Sequence, residues 1–147
     1  MVGGVERRHV PDFLLATPAG EVCVVNVKPA DRLADPAVAE ALAWPGELFG
    51  GHGWRYEVWS GCDAVLLENV RFLAGYRRAG IVDEGLVARA AREVRDGEAV
   101  GEAERRLAPG APGWAVRPAL LALLWRRQLT TDLTRVLSGD SVLRRRR

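Results

Sequence analysis

Three polar side chains interrupt two strand-like, apolar segments near the start of this chain. Asp12 interrupts the first segment, residues 6–17, and Asn26 and Lys28 interrupt the second, residues 22–28. Alternate residues of a strand share a face, so Asn26 and Lys28 point the same way. Polar groups that conflict with an otherwise apolar strand tend to mark functional sites.

The register of the predicted hairpin decides whether the aspartate meets the other two side chains. Pairing of Thr17 with Val22 would place the aspartate on the opposite face. A turn of three or five residues would bring it to the shared face, opposite Asn26 or Lys28. We favour the three-residue turn, because Gly20 can adopt the positive φ that such a turn requires.

An aspartate, an amide oxygen and a lysine at one place suit phosphodiester hydrolysis. Carboxylate and carbonyl oxygens bind Mg²⁺ or Mn²⁺, which acidifies a bound water and stabilises charge on the phosphate. The Lys28 ammonium would orient the water or neutralise the developing charge. A plain ion pair between Asp12 and Lys28 at the end of the sheet is the alternative that the spacing leaves open. His9 alternates away from Asp12, and we expect it to have a structural or surface role.

The elements that must position these residues follow in order along the chain. Asp35 predicts a helix that starts at Pro36, with a break at Pro45. Residues 54–59 predict a third strand, and Asp63 is expected to cap a second helix. A hairpin followed by helix, strand and helix is the pattern of an α/β core.

The second half of the chain has a different character. Residues 83–107 are rich in Ala, Glu and Arg and predict one or two helices, and residues 114–126 predict an apolar helix that begins near Pro118. Residues 128–137 predict a short strand or a wing. We therefore expect a boundary near residue 78 between an α/β domain and a mostly helical one.

Charge is distributed unevenly along the chain. Residues 1–70 carry five Lys/Arg and ten Asp/Glu, a net charge of −5, and residues 71–147 carry sixteen Arg and nine Asp/Glu, a net charge of +7. A basic half suggests contact with a polyanion, nucleic acid before a membrane surface. Arg126, Arg127 and Arg135 are candidates for DNA phosphate contacts, and a plain solvated face is the equal alternative.

The composition indicates an ordinary globular protein. Hydrophobic residues make up 48% and charged residues 27% of the 147 residues, as in ordinary globular proteins. No secretory h-region and no apolar run approaching ~18 residues is present. Cys23 and Cys62 lie in no CxxC pattern, so neither a zinc site nor a disulfide framework is indicated. We expect a cytoplasmic protein with no membrane partner.

These segments resemble a known nuclease family. Residues 8–15 (RHVPDFLL) and residues 24–29 (VVNVKP) resemble the PD-(D/E)xK signature, and more specifically the TnsA-type endonuclease subunits of heteromeric transposases. Residues 54–59 (WRYEVW) are similar to the strand that follows in those proteins, and residues 123–126 and 129–133 to their winged-helix-like region. The resemblance implies a restriction-endonuclease-like α/β domain at residues 1–78 and a small helical, winged-helix-like domain at residues 79–147.

The resemblance also implies roles for individual residues. Asp12 matches the metal-binding aspartate and Lys28 the lysine, and the backbone carbonyl of Val27 is a further expected metal ligand. Asn26 stands where the family has Glu, Asp or Gln, so it would hold the metal more weakly. The family has another acidic residue on a helix upstream of the hairpin, and Glu6 is too close in sequence to replace it. We therefore expect an N-terminally truncated form.

The implied function is cleavage of DNA at transposon ends by an endonuclease subunit that uses Mg²⁺ or Mn²⁺. The implied partners are DNA, a DDE-type transposase subunit and an ATPase regulator. The alternative, from another class, is a non-catalytic DNA- or protein-binding module, a truncated or degenerate remnant of the nuclease fold. The expected lack of the upstream acid favours the alternative, and the polar residues within the strands favour the nuclease.

Overall fold

The protein is described by a computed structural model that covers residues 8–78 and 80–146. It is a mixed α/β protein, as expected, and it divides into two compact units that meet in sequence at Gly61 and Cys62. None of the helices in the described ranges has both the length and the apolar character needed to cross a membrane.

The N-terminal unit is a three-stranded sheet with one long helix. Its elements, in chain order, are β1 (Phe13–Ala16), β2 (Val22–Val27), α1 (Pro36–Gly51) and β3 (Arg55–Trp59), with a 3₁₀ turn at Ala30–Arg32. β2 is the central strand, antiparallel to β1 and parallel to β3. Parallel strands need a crossover connection, and α1 supplies it.

The hairpin has the predicted three-residue turn. Gly20 adopts a φ of 85°, and its backbone nitrogen donates a hydrogen bond of 2.9 Å to the carbonyl of Thr17. Phe13 pairs with Val25 across the hairpin. One further step in this register places residue 12 opposite residue 26, as the preferred turn predicts.

Helix α1 packs against β3 and begins where the sequence predicts. Asp35 caps it by accepting a hydrogen bond of 2.9 Å from the backbone nitrogen of Ala37. The predicted break at Pro45 is wrong, because the helix continues through it to Gly51. A proline inside a helix removes one backbone hydrogen bond, and here the burial of Pro45 and Leu42 offsets that loss.

The two faces of the sheet differ. α1 lies on the face that carries the buried residues Val24 and Asn26. The other face leaves apolar side chains exposed, with Phe13 at 57% and Trp59 at 43% exposure. It forms an open apolar depression of about 320 Å³.

The C-terminal unit is mostly helical. Its elements are α2 (Ala64–Ala74), a 3₁₀ turn (Gly75–Arg77), α3 (Glu84–Glu93), α4 (Val100–Leu107), α5 (Val116–Trp125), β4 (Leu129–Thr130) and β5 (Arg144–Arg145). α5 lies in the centre and packs against α2, α3 and α4. Its residues Leu120 and Leu123 are fully buried.

The boundary between the units lies earlier in the chain than residue 78. Asp63 caps α2 as predicted, by accepting a hydrogen bond of 3.0 Å from the backbone nitrogen of Leu66. α2 then buries Asn69 and Leu73 within the C-terminal unit, and Leu73 belongs to the same apolar core as α5. An apolar helix face joins the core that covers it, so α2 belongs to the C-terminal unit.

The predictions for the remaining helices differ in outcome. Residues 83–107 form two helices, α3 and α4, separated by a turn in which Gly97 has a φ of 86°. α5 begins at Val116, slightly before the predicted start at Pro118. Proline is tolerated there because the first-turn nitrogens of a helix have no partner inside the helix.

The basic end of the chain is ordered as far as it is described. β5 pairs with β4, and the Arg145 guanidinium donates hydrogen bonds to the carbonyls of Ala91, Arg92 and Val94 at 2.7, 3.2 and 3.0 Å. These are terminal carbonyls of α3, which have no partner inside the helix. Arg145 is therefore held in place by contacts with the end of α3.

Candidate active site

The carboxylate of Asp12 ends the hairpin ladder. Its Oδ2 accepts a hydrogen bond of 2.8 Å from the backbone nitrogen of Val27. The ladder bond between Thr17 and Glu21 shows that every second pair is hydrogen-bonded, which would make Pro11 the next partner of Val27. Pro11 has no N–H to donate to the Val27 carbonyl, and the Val27 nitrogen donates to the side chain of Asp12.

The backbone carbonyl of Val27 lies on the side of β2 that faces Asp12. The N–H and C=O of one strand residue point to the same neighbouring strand. Because the Val27 nitrogen is directed at Asp12, the Val27 carbonyl lies on that same side of β2. Asp12 is exposed. A carboxylate and a backbone carbonyl are thus available together at this end of the hairpin.

Asn26 is buried, with 2% of its surface exposed, and its amide is hydrogen-bonded. The amide nitrogen Nδ2 lies 2.9 Å from Nε2 of His9 and donates to the Tyr56 hydroxyl at 3.0 Å. The amide oxygen Oδ1 lies 3.2 Å from the same nitrogen of His9. Buried polar groups require such partners, so this network accounts for a polar residue inside the sheet.

Aromatic rings enclose this network on the α1 side. The ring of Trp44 lies edge-on to His9 at 5.6 Å, and Phe49 stacks on Tyr56 at 6.0 Å. A Cβ atom on Gly46 would come within 3.0 Å of the Tyr56 ring, so a larger residue there would require the ring to shift by a few tenths of an ångström. Burial raises the pKa of Tyr56, and the hydrogen bond from Asn26 offsets part of this rise.

Lys28 is the only lysine in the chain, and it is exposed. Its backbone nitrogen donates a hydrogen bond of 3.0 Å to the carbonyl of Trp59, which fixes the end of β2 against β3. No ion pair joins it to Asp12 or to another residue that the structure describes. The ammonium is therefore available to an external anion, and the alternative of a simple ion pair with Asp12 is not realised.

The oxygen donors at this end of the hairpin suit a weakly held hydrated cation. They are the exposed carboxylate of Asp12, the backbone carbonyl of Val27 and the amide oxygen of Asn26, which is buried and lies 3.2 Å from Nε2 of His9. Within residues 8–78 and 80–146 no group of three His, Cys, Asp or Glu side chains could hold a metal. Mg²⁺ is commonly held by one or two carboxylates together with waters and substrate phosphates, and the donor set fits that mode.

The sequence interpretation did not identify the partners of Asn26. His9 was expected to be structural or at the surface, and Tyr56 was assigned only to a strand. A buried asparagine must find hydrogen-bond partners, and that requirement is the signal that points to a neighbouring histidine and tyrosine. The identity of these hydrogen-bond partners depends on the pairing of β2 with β3, because that pairing places Val24 beside Tyr56.

The three arginines proposed for DNA contact lie in different environments. Arg126 forms an ion pair of 2.5 Å with Glu84, and the hydrogen bonds from Arg126 hold the pKa of Glu84 below its usual range. Arg127 is exposed and has a φ of 56°, and Arg135 is also exposed. Arg135 lines a surface cavity of about 300 Å³ together with the carboxylates of Asp132 and Asp140.

Comparison with known proteins gives no family assignment. No protein-family model matches the chain, and no curated protein sequence matches it significantly.

Proposed function

We propose that this chain is a metal-dependent DNA endonuclease subunit of the transposase type, built on a restriction-endonuclease-like core. The observation that carries the proposal is the hairpin register. Asp12 contacts Val27 and directly precedes Phe13, which pairs with Val25. Lys28 follows at the same end of β2, so the four residues of the motif occupy neighbouring positions at one end of the hairpin.

The order of elements around this site supports the proposal. A hairpin, a helix and a third strand follow one another, as in the hairpin, helix, strand and helix expected for the nuclease core, although the last helix, α2, lies in the C-terminal unit. The polar residues lie at the end of the sheet, where the ladder stops and side chains become accessible. Such a position admits a phosphodiester that could not reach the middle of a strand.

Each residue then has a defined task. Asp12 and the Val27 carbonyl, with Asn26, would hold Mg²⁺ or Mn²⁺, which supplies charge stabilisation at the phosphate and a more acidic water. The exposed ammonium of Lys28 would bind the phosphate and neutralise charge that develops on it. Because Asn26 brings no charge, we expect weak metal binding that improves when DNA phosphates share the ion.

The C-terminal unit would contribute DNA contacts and partner contacts. Its last three helices, α3, α4 and α5, are followed by a β-ribbon, which is the order of a winged-helix-like domain. Helix α5 is buried by its neighbours, so DNA contact falls to exposed groups at its end and in the following loop, Arg127 and Arg135. A DDE-type transposase subunit and an ATPase regulator are the protein partners that the resemblance implies.

The test is nicking of supercoiled plasmid DNA in Mn²⁺ or Mg²⁺. We expect the wild-type chain to nick, Asp12→Ala and Lys28→Ala to lose nicking, and Lys28→Arg to retain part of it because the charge remains. Glu21→Ala is the matched control, since it removes an exposed carboxylate at the other end of the hairpin. Equal nicking by Lys28→Ala and wild type would refute the assignment of Lys28.

A second candidate is a non-catalytic DNA- or protein-binding module. It is favoured by the amide of Asn26, which is already hydrogen-bonded, and by the lack of a three-residue acidic or histidine cluster among the described residues. This candidate predicts DNA binding without Mn²⁺ binding or nicking. Calorimetric titration of the wild-type chain with Mn²⁺ separates the two.

A further inference from the structure

The side-chain amide of Asn26 is enclosed, so all of its hydrogen-bonding capacity must be met inside the protein or by a ligand. A primary amide has two protons to donate and one oxygen that accepts. Nδ2 contacts His9 Nε2 at 2.9 Å and the Tyr56 hydroxyl at 3.0 Å, and Oδ1 contacts His9 Nε2 at 3.2 Å. One imidazole nitrogen therefore faces both ends of the amide.

Nε2 of His9 can form a hydrogen bond with only one end of the Asn26 amide. A neutral imidazole nitrogen either carries a proton and donates it, or lacks one and accepts. The shorter contact is the one to Nδ2, which favours Nε2 as the acceptor. The second amide proton goes to the hydroxyl of Tyr56. Both protons are then used, and the carbonyl oxygen, 3.2 Å from the same His9 nitrogen, receives no proton from it.

We infer that His9 and Tyr56 are positioning residues, which hold the amide protons of Asn26 so that its carbonyl oxygen acts as the metal ligand. The inference rests on the proposed function. An asparagine that is free to rotate presents its nitrogen as readily as its oxygen, and an amide nitrogen that carries its protons is not a ligand for Mg²⁺. Fixing the amide in one orientation compensates in part for its lack of charge.

The packing around the two residues fits this role. Trp44 lies edge-on to His9, and Phe49 stacks on Tyr56. The missing side chain at Gly46 leaves the space that the Tyr56 ring occupies. Ligands in metal sites are held in place by such hydrogen-bonded and packed neighbours, whose loss typically costs about 10- to 100-fold in metal affinity.

The first test measures the tautomer of His9 and needs no metal. The chain has two histidines, so ¹⁵N spectra of the wild type and of His52→Gln assign the His9 ring. We expect the proton on Nδ1, with Nε2 unprotonated and coupled through the hydrogen bond to Asn26 Nδ2. A proton on Nε2 in the neutral ring would overturn the inference, whatever the metal does.

The second test measures Mn²⁺ affinity of the full chain by calorimetry. We expect Tyr56→Phe, which removes only the hydroxyl, to weaken Mn²⁺ binding by about 10-fold or more. Tyr76→Phe is the matched control, because Tyr76 is the only other tyrosine and lies in the C-terminal unit. Equal affinity of Tyr56→Phe and wild type would overturn the positioning role. Failure of the wild type itself to bind Mn²⁺ would instead overturn the proposed function and the ligand role of Asn26, and the His9 tautomer would still report whether the amide is held.

Discussion

The backbone nitrogen of Val27 and the carboxylate of Asp12 are joined by a hydrogen bond of 2.8 Å at the point where the hairpin ladder stops. Asp12 thus has a structural contact in addition to its proposed metal contact. A carboxylate has two oxygens and several lone pairs, so one oxygen can bind the backbone while the other faces a cation. The two contacts can be separated by substitution.

The first prediction compares Asp12→Asn with Asp12→Ala. Asparagine keeps an oxygen that accepts the hydrogen bond from Val27, so we expect unfolding stability close to that of the wild type. Alanine loses the bond and should lower the free energy of unfolding by about 1 kcal/mol. Both variants should lose Mn²⁺ binding, measured by calorimetry beside urea unfolding. Retained Mn²⁺ binding in both would remove Asp12 from the metal site.

The second prediction concerns Asn26→Asp, which places a carboxylate where the resembled family has Glu, Asp or Gln. Without metal, a carboxylate at a position that is 2% exposed is poorly solvated, so the protein should melt at a lower temperature than the wild type. With Mn²⁺ the added charge should tighten binding on the order of tenfold and restore stability. Thermal unfolding with and without Mn²⁺ tests this, and an unchanged metal response would show that residue 26 does not reach the ion.

The third prediction concerns Asn69 of α2, whose side chain forms hydrogen bonds with the loop that follows β4. Its amide donates to the carbonyls of Leu133 and Arg135 at 2.9 and 2.8 Å and accepts from the nitrogen of Leu137 at 3.3 Å. Asn69→Ala leaves these backbone groups without partners, so we expect a loss of about 3 kcal/mol in urea unfolding. Amide exchange at Leu137 should also become faster. Asn69→Asp, which can still accept from Leu137, should protect that amide better than alanine does.

The local signals in the sequence predicted much of the secondary structure. Caps at Asp35 and Asp63, and the glycine in the hairpin turn, act through bonds to near neighbours, so a single sequence reveals them. Pro45 misled the interpretation, because burial within α1 outweighs the local cost of a proline. Tertiary packing decides such cases.

The long-range contacts could not be predicted in the same way. His9, Asn26 and Tyr56 come together only because β2 pairs with both of its neighbours in one register. Arg145 binds the carbonyls at the end of α3, a contact between distant segments that no local signal predicts. The residue types indicated what each group could bind, and the pairing of distant segments determined what it does bind.

The fourth prediction concerns the dependence of stability on pH. The hydrogen bonds from Arg106, at 2.7 and 2.8 Å, hold the pKa of Glu98 below its usual range, and the Glu98 side chain is only 8% exposed. A lowered pKa in the folded state stabilises the protein above about pH 4.3, the value in the unfolded chain, and this stabilisation is lost as pH falls through the lower, folded pKa.

Glu98→Gln should therefore lower the free energy of unfolding at neutral pH by about 2 kcal/mol and flatten its fall in acid. Urea unfolding at a series of pH values between about 3 and 7 measures both effects. Glu104→Gln is the control, because its ion pair with Arg117 is more exposed, with side-chain exposures of 26% and 51%, and exposed pairs contribute less. Equal losses of unfolding free energy in Glu98→Gln and Glu104→Gln would show that burial does not strengthen the ion pair of Glu98 with Arg106.

The fifth prediction concerns DNA binding by the C-terminal unit. Arg127 and Arg135 are exposed, whereas Arg126 is already paired with Glu84 at 2.5 Å. Each phosphate contact that is lost lowers the slope of log affinity against log salt by about 1. We therefore expect Arg127→Gln and Arg135→Gln to weaken DNA binding and reduce that slope, and Arg126→Gln to change it less, because a phosphate would have to displace Glu84.

Fluorescence anisotropy with duplex DNA at several salt concentrations measures the slope, and Glu84→Gln provides a matched variant. Glu84→Gln releases Arg126 from its ion pair. It should therefore strengthen DNA binding and make the salt slope steeper by a contribution from Arg126. Such a gain in Glu84→Gln, lost again in the double variant with Arg126→Gln, would show that the ion pair keeps this arginine from DNA. A salt slope unchanged in all three single arginine variants would place the DNA contacts elsewhere in the protein.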